Sequence, residues 1–216
     1  RERTRGYPRA LEALFAILAS DRYTSLEELL EKPTPENVVQ ELVGEAFNRL
    51  DTNAQKAMQA LAVYNRPVTP AAVDYLLAPH IPAMDSAPIL QRLANMHFAR
   101  KESGRFYLHP VDREFAFSLI PNPSPNGRGE SSETRQGEGY TQHDLTSRAA
   151  DYFAQARKPR TEWKKLEDLF AQLAEFDLRC AAGDYDTACI VLRGFDFEYM
   201  LPWGHNRLII QMHEKL

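Results

Sequence analysis

A short hairpin that runs directly into a helix constrains this chain more than any other feature. His97-Phe98-Ala99-Arg100-Lys101 leads to a Glu102-Ser103-Gly104 turn, then to Arg105-Phe106-Tyr107-Leu108-His109-Pro110-Val111-Asp112-Arg113-Glu114-Phe115. Pro110 suits a first helical position, where its missing N–H leaves no bond unmade. The spacing therefore predicts His109 at or beside the N-cap, with its imidazole near the positive end of the helix. A histidine in that place is positioned to meet a phosphate.

Upstream of the hairpin the pattern is helical. After the Gly6-Tyr7-Pro8 corner, Leu11, Leu14, Phe15 and Leu18 fall at the spacing of one buried helix face. Thr24 and Ser25 are placed to cap a short helix reaching Leu30. Thr34-Pro35 opens a longer one with Val39, Leu42, Val43, Ala46 and Leu50 as its stripe. Residues 1–50 thus read as a small helical bundle. Asp51 restarts the chain into a helix carrying Ala57, Met58 and Leu61. Thr69-Pro70 begins another with Val73, Leu76 and Leu77, and a third from Ser86 carries Leu90, Leu93 and Met96. Three helices and then a β-ribbon is the order of a winged helix, which assigns residues 51–120 to one.

Between Pro121 and Tyr140 the composition turns to Pro, Ser, Gly, Asn and charge without apolar periodicity, and the segment reads as a disordered linker. Its Gly127-Arg128-Gly129-Glu130 and Gly137-Glu138-Gly139 pieces lack a following Gly-Lys-Ser/Thr and a preceding apolar strand, so they do not make a phosphate-binding loop. Residues 141–216 are helical in pattern. Leu145, Ala149, Tyr152 and Phe153 mark one helix, and Trp163, Leu166, Leu169, Phe170 and Leu173 a longer one. Ala181-Ala182-Gly183-Asp184-Tyr185-Asp186-Thr187-Ala188 supplies a turn glycine, an Asp cap and a small residue for close helix packing. That octet resembles the inter-helix turn of a tetratricopeptide repeat, with Trp203-Gly204-His205 opening a further helix. The expected fold is mainly α: a helical bundle, a winged helix with a small β-hairpin, then repeat-like helical hairpins.

With 216 residues, of which 44% are hydrophobic, the chain can bury a sizeable core. A formal net charge of −4 argues against bulk electrostatic binding of nucleic acid. No apolar run approaches a membrane span and no leader pattern precedes the first helix, which points to a cytoplasmic protein without membrane partners. The start at Arg1, almost inside an element, suggests a piece of something longer. Cys180 and Cys189 fall in one helical region without a metal pattern and read as buried free thiols. His80, His97, His143, His205 and His213 share no ligand spacing, and no Ser/His/Asp arrangement or paired-carboxylate spacing stands out. Neither a catalytic nor a metal-binding residue is assigned.

Two stretches resemble a known family. Gly6-Tyr7-Pro8-Arg9-Ala10-Leu11 resembles the glycine-x-proline corner that follows the nucleotide-binding core of STAND ATPases of the NB-ARC class, which include plant disease-resistance proteins and apoptotic-protease-activating factors. Leu108-His109-Pro110-Val111-Asp112-Arg113 resembles the histidine motif ending that family's winged helix. They lie in the family's order, and the resemblance covers residues 1 to 120. It implies that Pro8 contacts adenine and His109 contacts the β-phosphate of ADP in a full-length parent. The chemistry suits both: a rigid ring without an N–H for a flat base, an imidazole donor for an anion. Here a leucine precedes the histidine and a proline follows it, unlike the family's commonest form.

The same resemblance implies an ADP/ATP-switched signal-transduction protein of the kind tied to defence. This fragment would pack on an upstream nucleotide-binding domain of its own chain and sense an unknown protein partner through its helical repeats. Lacking a Gly-x4-Gly-Lys-Ser/Thr loop and the acidic strand end that holds magnesium, the fragment is not expected to hydrolyse ATP or to hold the nucleotide alone. Two other functions fit parts of the pattern. One is a DNA-binding winged helix, although the candidate recognition helix from Ser86 to Met96 has only Arg92 as a base, with Arg100, Lys101 and Arg105 on the wing. The other is a helical-repeat scaffold with no link to nucleotide.

Overall fold

The structure is a computed structural model that describes residues 8–20, 38–122 and 140–216. It is mainly helical with one two-stranded antiparallel sheet, and it divides into two compact units, Arg1–Gly139 and Tyr140–Leu216. The expected helix at Thr24 to Leu30, the Thr34-Pro35 opening and most of the 121–140 linker lie outside the described residues. Tyr140, placed at the linker's end by composition, is buried at 3% exposure in the second unit.

In the first unit, α1 (Pro8–Ser20) packs on α2 (Val38–Asn48). The buried side chains of α1 are Ala13, Leu14 and Ile17, whereas Leu11 and Phe15 are about half exposed, at 51% and 54%. The helix is therefore turned away from the stripe expected at Leu11, Leu14, Phe15 and Leu18. Ala13 and Ile17 lie together to one side of Leu14, on a neighbouring face, and the small alanine permits close approach to the next helix. On α2 the buried set is Leu42, Val43, Ala46 and Phe47, with Leu50 just beyond its end.

The next helix, α3 (Thr52–Tyr64), is the centre of this unit. Its character is set by small and apolar residues: Ala54, Ala57, Met58, Ala60, Leu61, Ala62, Val63 and Tyr64 are all buried. An amphipathic helix shows one dry stripe, while a helix buried on every side must be enclosed. Four elements contact it: α4 (Pro70–Leu77), α5 (Ser86–Asn95), strand β2 (Arg105–Tyr107) and α6 (Pro110–Ser118). Asp51 caps α3 by accepting the Ala54 N–H at 3.0 Å, and the same carboxylate pairs with Arg92 on α5. At the other end, the buried Tyr64 hydroxyl donates to the Ala72 carbonyl at 2.8 Å and ties α3 to α4.

Strand β1 (Arg100–Glu102) pairs with β2 so that Arg100 faces Tyr107, Lys101 faces Phe106 and Glu102 faces Arg105. Both turn residues have positive φ, Ser103 at 48° and Gly104 at 78°, the condition for a two-residue hairpin whose twist matches its strands. Phe106 points inward at 3% exposure, and Val68 exchanges two backbone bonds with it, of 3.0 and 2.7 Å. That bridge ties the segment between α3 and α4 to the hairpin. Helix α6 closes over α2, where Phe115 meets Phe47 edge to face at 5.6 Å and a Cβ on Gly44 would stand 3.1 Å from the Phe115 ring.

The second unit is built of helical hairpins. A capping box at Thr141 and Asp144 opens α7 (Gln142–Gln155), which packs on α8 (Phe170–Ala181), and α8 packs on α9 (Tyr185–Arg193). Helix α8 begins at Phe170, not at Trp163 as the apolar spacing suggests. Polar bonds hold the chain open before it: Asp168 accepts from Lys158 Nζ at 2.7 Å and the Lys164 N–H at 3.2 Å, and Lys165 is fully extended. The turn into α9 follows expectation, with Gly183 at φ 77°, Asp184 accepting the Thr187 N–H at 3.2 Å, and buried Ala188 at the crossing. A π turn at Asp196–Met200 then precedes α10 (Asn206–His213). Cys180 and Cys189 are half-buried free thiols, less enclosed than their apolar neighbours suggested. Burial, with Asp177 nearby, pushes the Cys180 thiol up.

Two substitutions test this account. Partial burial raises the Asp51 carboxyl, but the Ala54 N–H and Arg92 outweigh it and hold the group below the usual carboxylate range. Its contribution is thus fully present above the ordinary carboxylate pKa and lost as pH falls through the lowered native one. Asp51→Ala is expected to cost about 1 kcal/mol in urea unfolding at neutral pH, and less in strong acid. At Gly183 a Cβ would meet nothing within 4 Å, so the strain of Gly183→Ala is conformational alone, about 1 kcal/mol by the same measurement.

Candidate nucleotide-contact site

Two residues carry the sequence-level expectation, Pro8 and His109. Pro8 is the first residue of α1 and is exposed. His109 is the N-cap of α6, with extended backbone angles of −63° and 145° and a half-buried ring. Both helices pack on α2, which holds α1 on one of its flanks and α6 on another.

The chemistry open to His109 follows from its bonds. Its Nδ1 accepts the Val111 N–H at 3.4 Å. A ring nitrogen that accepts has no proton, so in the neutral ring the proton sits on Nε2, which is then a donor. The backbone around it offers an anion little. Pro110 has no N–H, the Val111 N–H is taken by the ring, and the Arg113 N–H closes the first helical bond to the His109 carbonyl at 2.9 Å. The sequence-based expectation places the histidine, near the positive end of the helix, to meet a phosphate. The donor with a free direction is the imidazole Nε2–H, supported by the helix field rather than by a cradle of amides.

Asp112, in the first turn of α6, is completely buried, and its charge acts on Arg100 of β1. A buried acid beside a helix N-terminus favours the helix but opposes an incoming anion, and Arg100 counters it. The arrangement fits one donor bond from His109 to a phosphate oxygen, with the flat exposed face of Pro8 available to a base. It does not supply a triphosphate cradle. Sequence reasoning missed Arg100 and Glu12 as parts of this neighbourhood, because they meet across 88 positions of chain.

Three of the four basic side chains that a DNA-binding reading would use, all but Arg105, have these partners within the chain. Arg92 pairs with Asp51, Arg100 with Glu12, and Lys101 donates to Gln91 at 2.6 Å. Among the other histidines, His97 sits at φ 62° with its ring against Phe15, His143 meets the Ala182 carbonyl at 3.1 Å, and His213 bonds the buried Asp196 at 3.1 Å. Among the described residues no three His, Cys, Asp or Glu side chains are grouped to hold a metal ion. No described helix is long and apolar enough to cross a membrane. Compared with protein-family models, with curated proteins and with solved structures, the chain matches none.

If His109 were kept only as a cap, a better cap should serve as well. Asparagine is among the strongest N-cap residues, and the 3.4 Å bond to Val111 is a long one. His109→Asn is therefore expected to leave urea stability within about 0.5 kcal/mol of the parent or to raise it. A loss above about 1 kcal/mol would mean that the ring itself holds the fold together.

Proposed function

We propose that this chain is the regulatory part of a nucleotide-switched signalling ATPase of the NB-ARC kind, in which the winged helix closes over ADP held by an upstream domain. The observation that carries the reading is the state of His109: seated at the seam of hairpin and helix, with Nδ1 satisfied locally and Nε2–H left as a donor. In the closed state this donor would bond the β-phosphate, and Pro8 would lie against adenine. ADP release would remove the bond and free the winged helix to rotate as a body, a population shift driven by contacts made in only one state.

The helical hairpins of the second unit suit the role of a partner-sensing segment. Their exposed apolar side chains, Ile190, Phe197 and Ile210 among them, are the type of surface through which helical repeats engage proteins. By itself the chain would hydrolyse no ATP, since its part in the reaction is to gate the nucleotide. The alternative of a DNA-binding winged helix is disfavoured by the pairing of Arg92 and Arg100 with carboxylates of their own chain, because phosphate binding draws on free positive charge.

Two measurements test the proposal. Calorimetry on this chain alone should show no ADP binding tighter than about a millimolar Kd, since two contacts without a cradle supply little affinity. In the parent protein with its upstream domain, His109→Ala should speed release of a fluorescent ADP roughly tenfold to a hundredfold, the weight of one charge-assisted bond of about 1.5 to 3 kcal/mol. Unchanged release would reduce His109 to a cap.

A further inference from the structure

The two segments expected to touch nucleotide begin different helices about a hundred residues apart, and one ion pair stands between them. Arg100 Nη2 donates to both carboxylate oxygens of Glu12, at 2.7 Å each. Glu12 lies on α1 four residues after Pro8, one helical turn and about 6 Å along the axis. Arg100 lies directly opposite Tyr107 in the hairpin, and His109 follows Tyr107 by two residues, about 7 Å of extended chain. Pro8 and His109 are thus each a short, stiff step from the same pair. A second contact joins the same segments, the Phe15 ring meeting the His97 ring edge to face at 5.6 Å.

We propose that Glu12 and Arg100 are positioning residues, whose ion pair sets the spacing between Pro8 at the head of α1 and His109 at the head of α6. The assignment of a nucleotide to these two residues rests on the function proposed above, while the spacing itself does not. Both side chains are partly exposed, 38% for Arg100 and 29% for Glu12, so the pair contributes little to folding stability. Its chelated geometry nevertheless restricts how α1 can lie against the wing. The guanidinium is also addressed from α6, whose buried Asp112 adds its field to that of Glu12. One side chain on β1 therefore answers both to α1 and to the helix that His109 caps.

The experiment measures spacing and nucleotide release separately. Spin labels at Leu11→Cys and Glu114→Cys, both at exposed positions, are placed in a Cys180→Ser/Cys189→Ser background of this chain. Pulsed dipolar spectroscopy should give one narrow distance, broadened or displaced by Glu12→Gln and by Arg100→Gln, with the melting temperature within a few degrees of the parent. The conservative Arg100→Lys, which keeps a cation facing both Glu12 and Asp112, should retain the narrow distribution, which a general loss of folding would not allow. In the parent protein, release of fluorescent ADP should quicken about five- to tenfold in Glu12→Gln and in Arg100→Gln and stay near the parent value in Arg100→Lys, within the usual range of coupling between sites. An unaltered distance in both glutamine variants overturns the inference whatever the nucleotide does. A broadened distance with unaltered ADP release leaves the mechanical link standing and overturns the nucleotide reading.

Discussion

Enclosure of α3 is the constraint on which the rest of the first unit depends. A helix buried at every position from Lys56 to Tyr64 has little face for water, so α4, α5, α6 and the hairpin must all find places around it. Its alanines let those neighbours approach closely, and its larger side chains, Met58, Leu61 and Tyr64, fill what remains. The placing of the hairpin follows from this packing. Phe106 is drawn in from the hairpin, Val68 pairs with it through two backbone bonds, and the chain after β2 is delivered to the start of α6 where His109 stands. The position of the candidate contact residue is therefore inherited from the core.

Polar groups in this unit tie elements together where apolar contact leaves their orientation open. Asp51 caps one helix while pairing with another, Asp74 and the Pro70 carbonyl bind the start of α5 through Ser86, and Arg113 reaches the Ala62 carbonyl at 3.3 Å. Arg92 and Arg100 are neutralised in this way by Asp51 and Glu12, whereas Lys101 is held by the uncharged Gln91. The second unit uses the same device more deeply. Glu175, at 1% exposure, accepts from Arg157 just past the end of α7, and Arg179 joins Asp151 at 2.6 Å. Such pairs add orientation and register more than net stability, because the cost of burying charge offsets much of the attraction.

Helices and the hairpin were legible in the chain because their signals are local. Pro70, Pro110, Asp51, Asp184 and Gly183 each act within a few residues of themselves, and the winged-helix order could be read from them. The rotation of α1 was not legible, since Leu11-Leu14-Phe15 and Ala13-Leu14-Ile17 are both acceptable apolar faces and only the neighbouring helix chooses between them. The false helix start at Trp163 has a related cause: apolar spacing continued through 163–169, while Lys165 is extended and Leu166–Leu169 form a tighter 3-10 turn before α8 begins.

For the candidate site, sequence alone determined which residue would cap α6, because proline chemistry and turn spacing operate over four positions. What the ring of His109 can donate, and that the Val111 and Arg113 amides are occupied, depended on hydrogen bonds that exist only once the helix has formed. The partner of Arg100 depended on more still. Nothing within reach of residue 100 along the chain announces a glutamate at residue 12, and the two meet because α1 packs on α2 and α2 packs on α6. Local stereochemistry is written in neighbouring residues, whereas an ion pair across 88 positions is decided by how the core brings distant helices together.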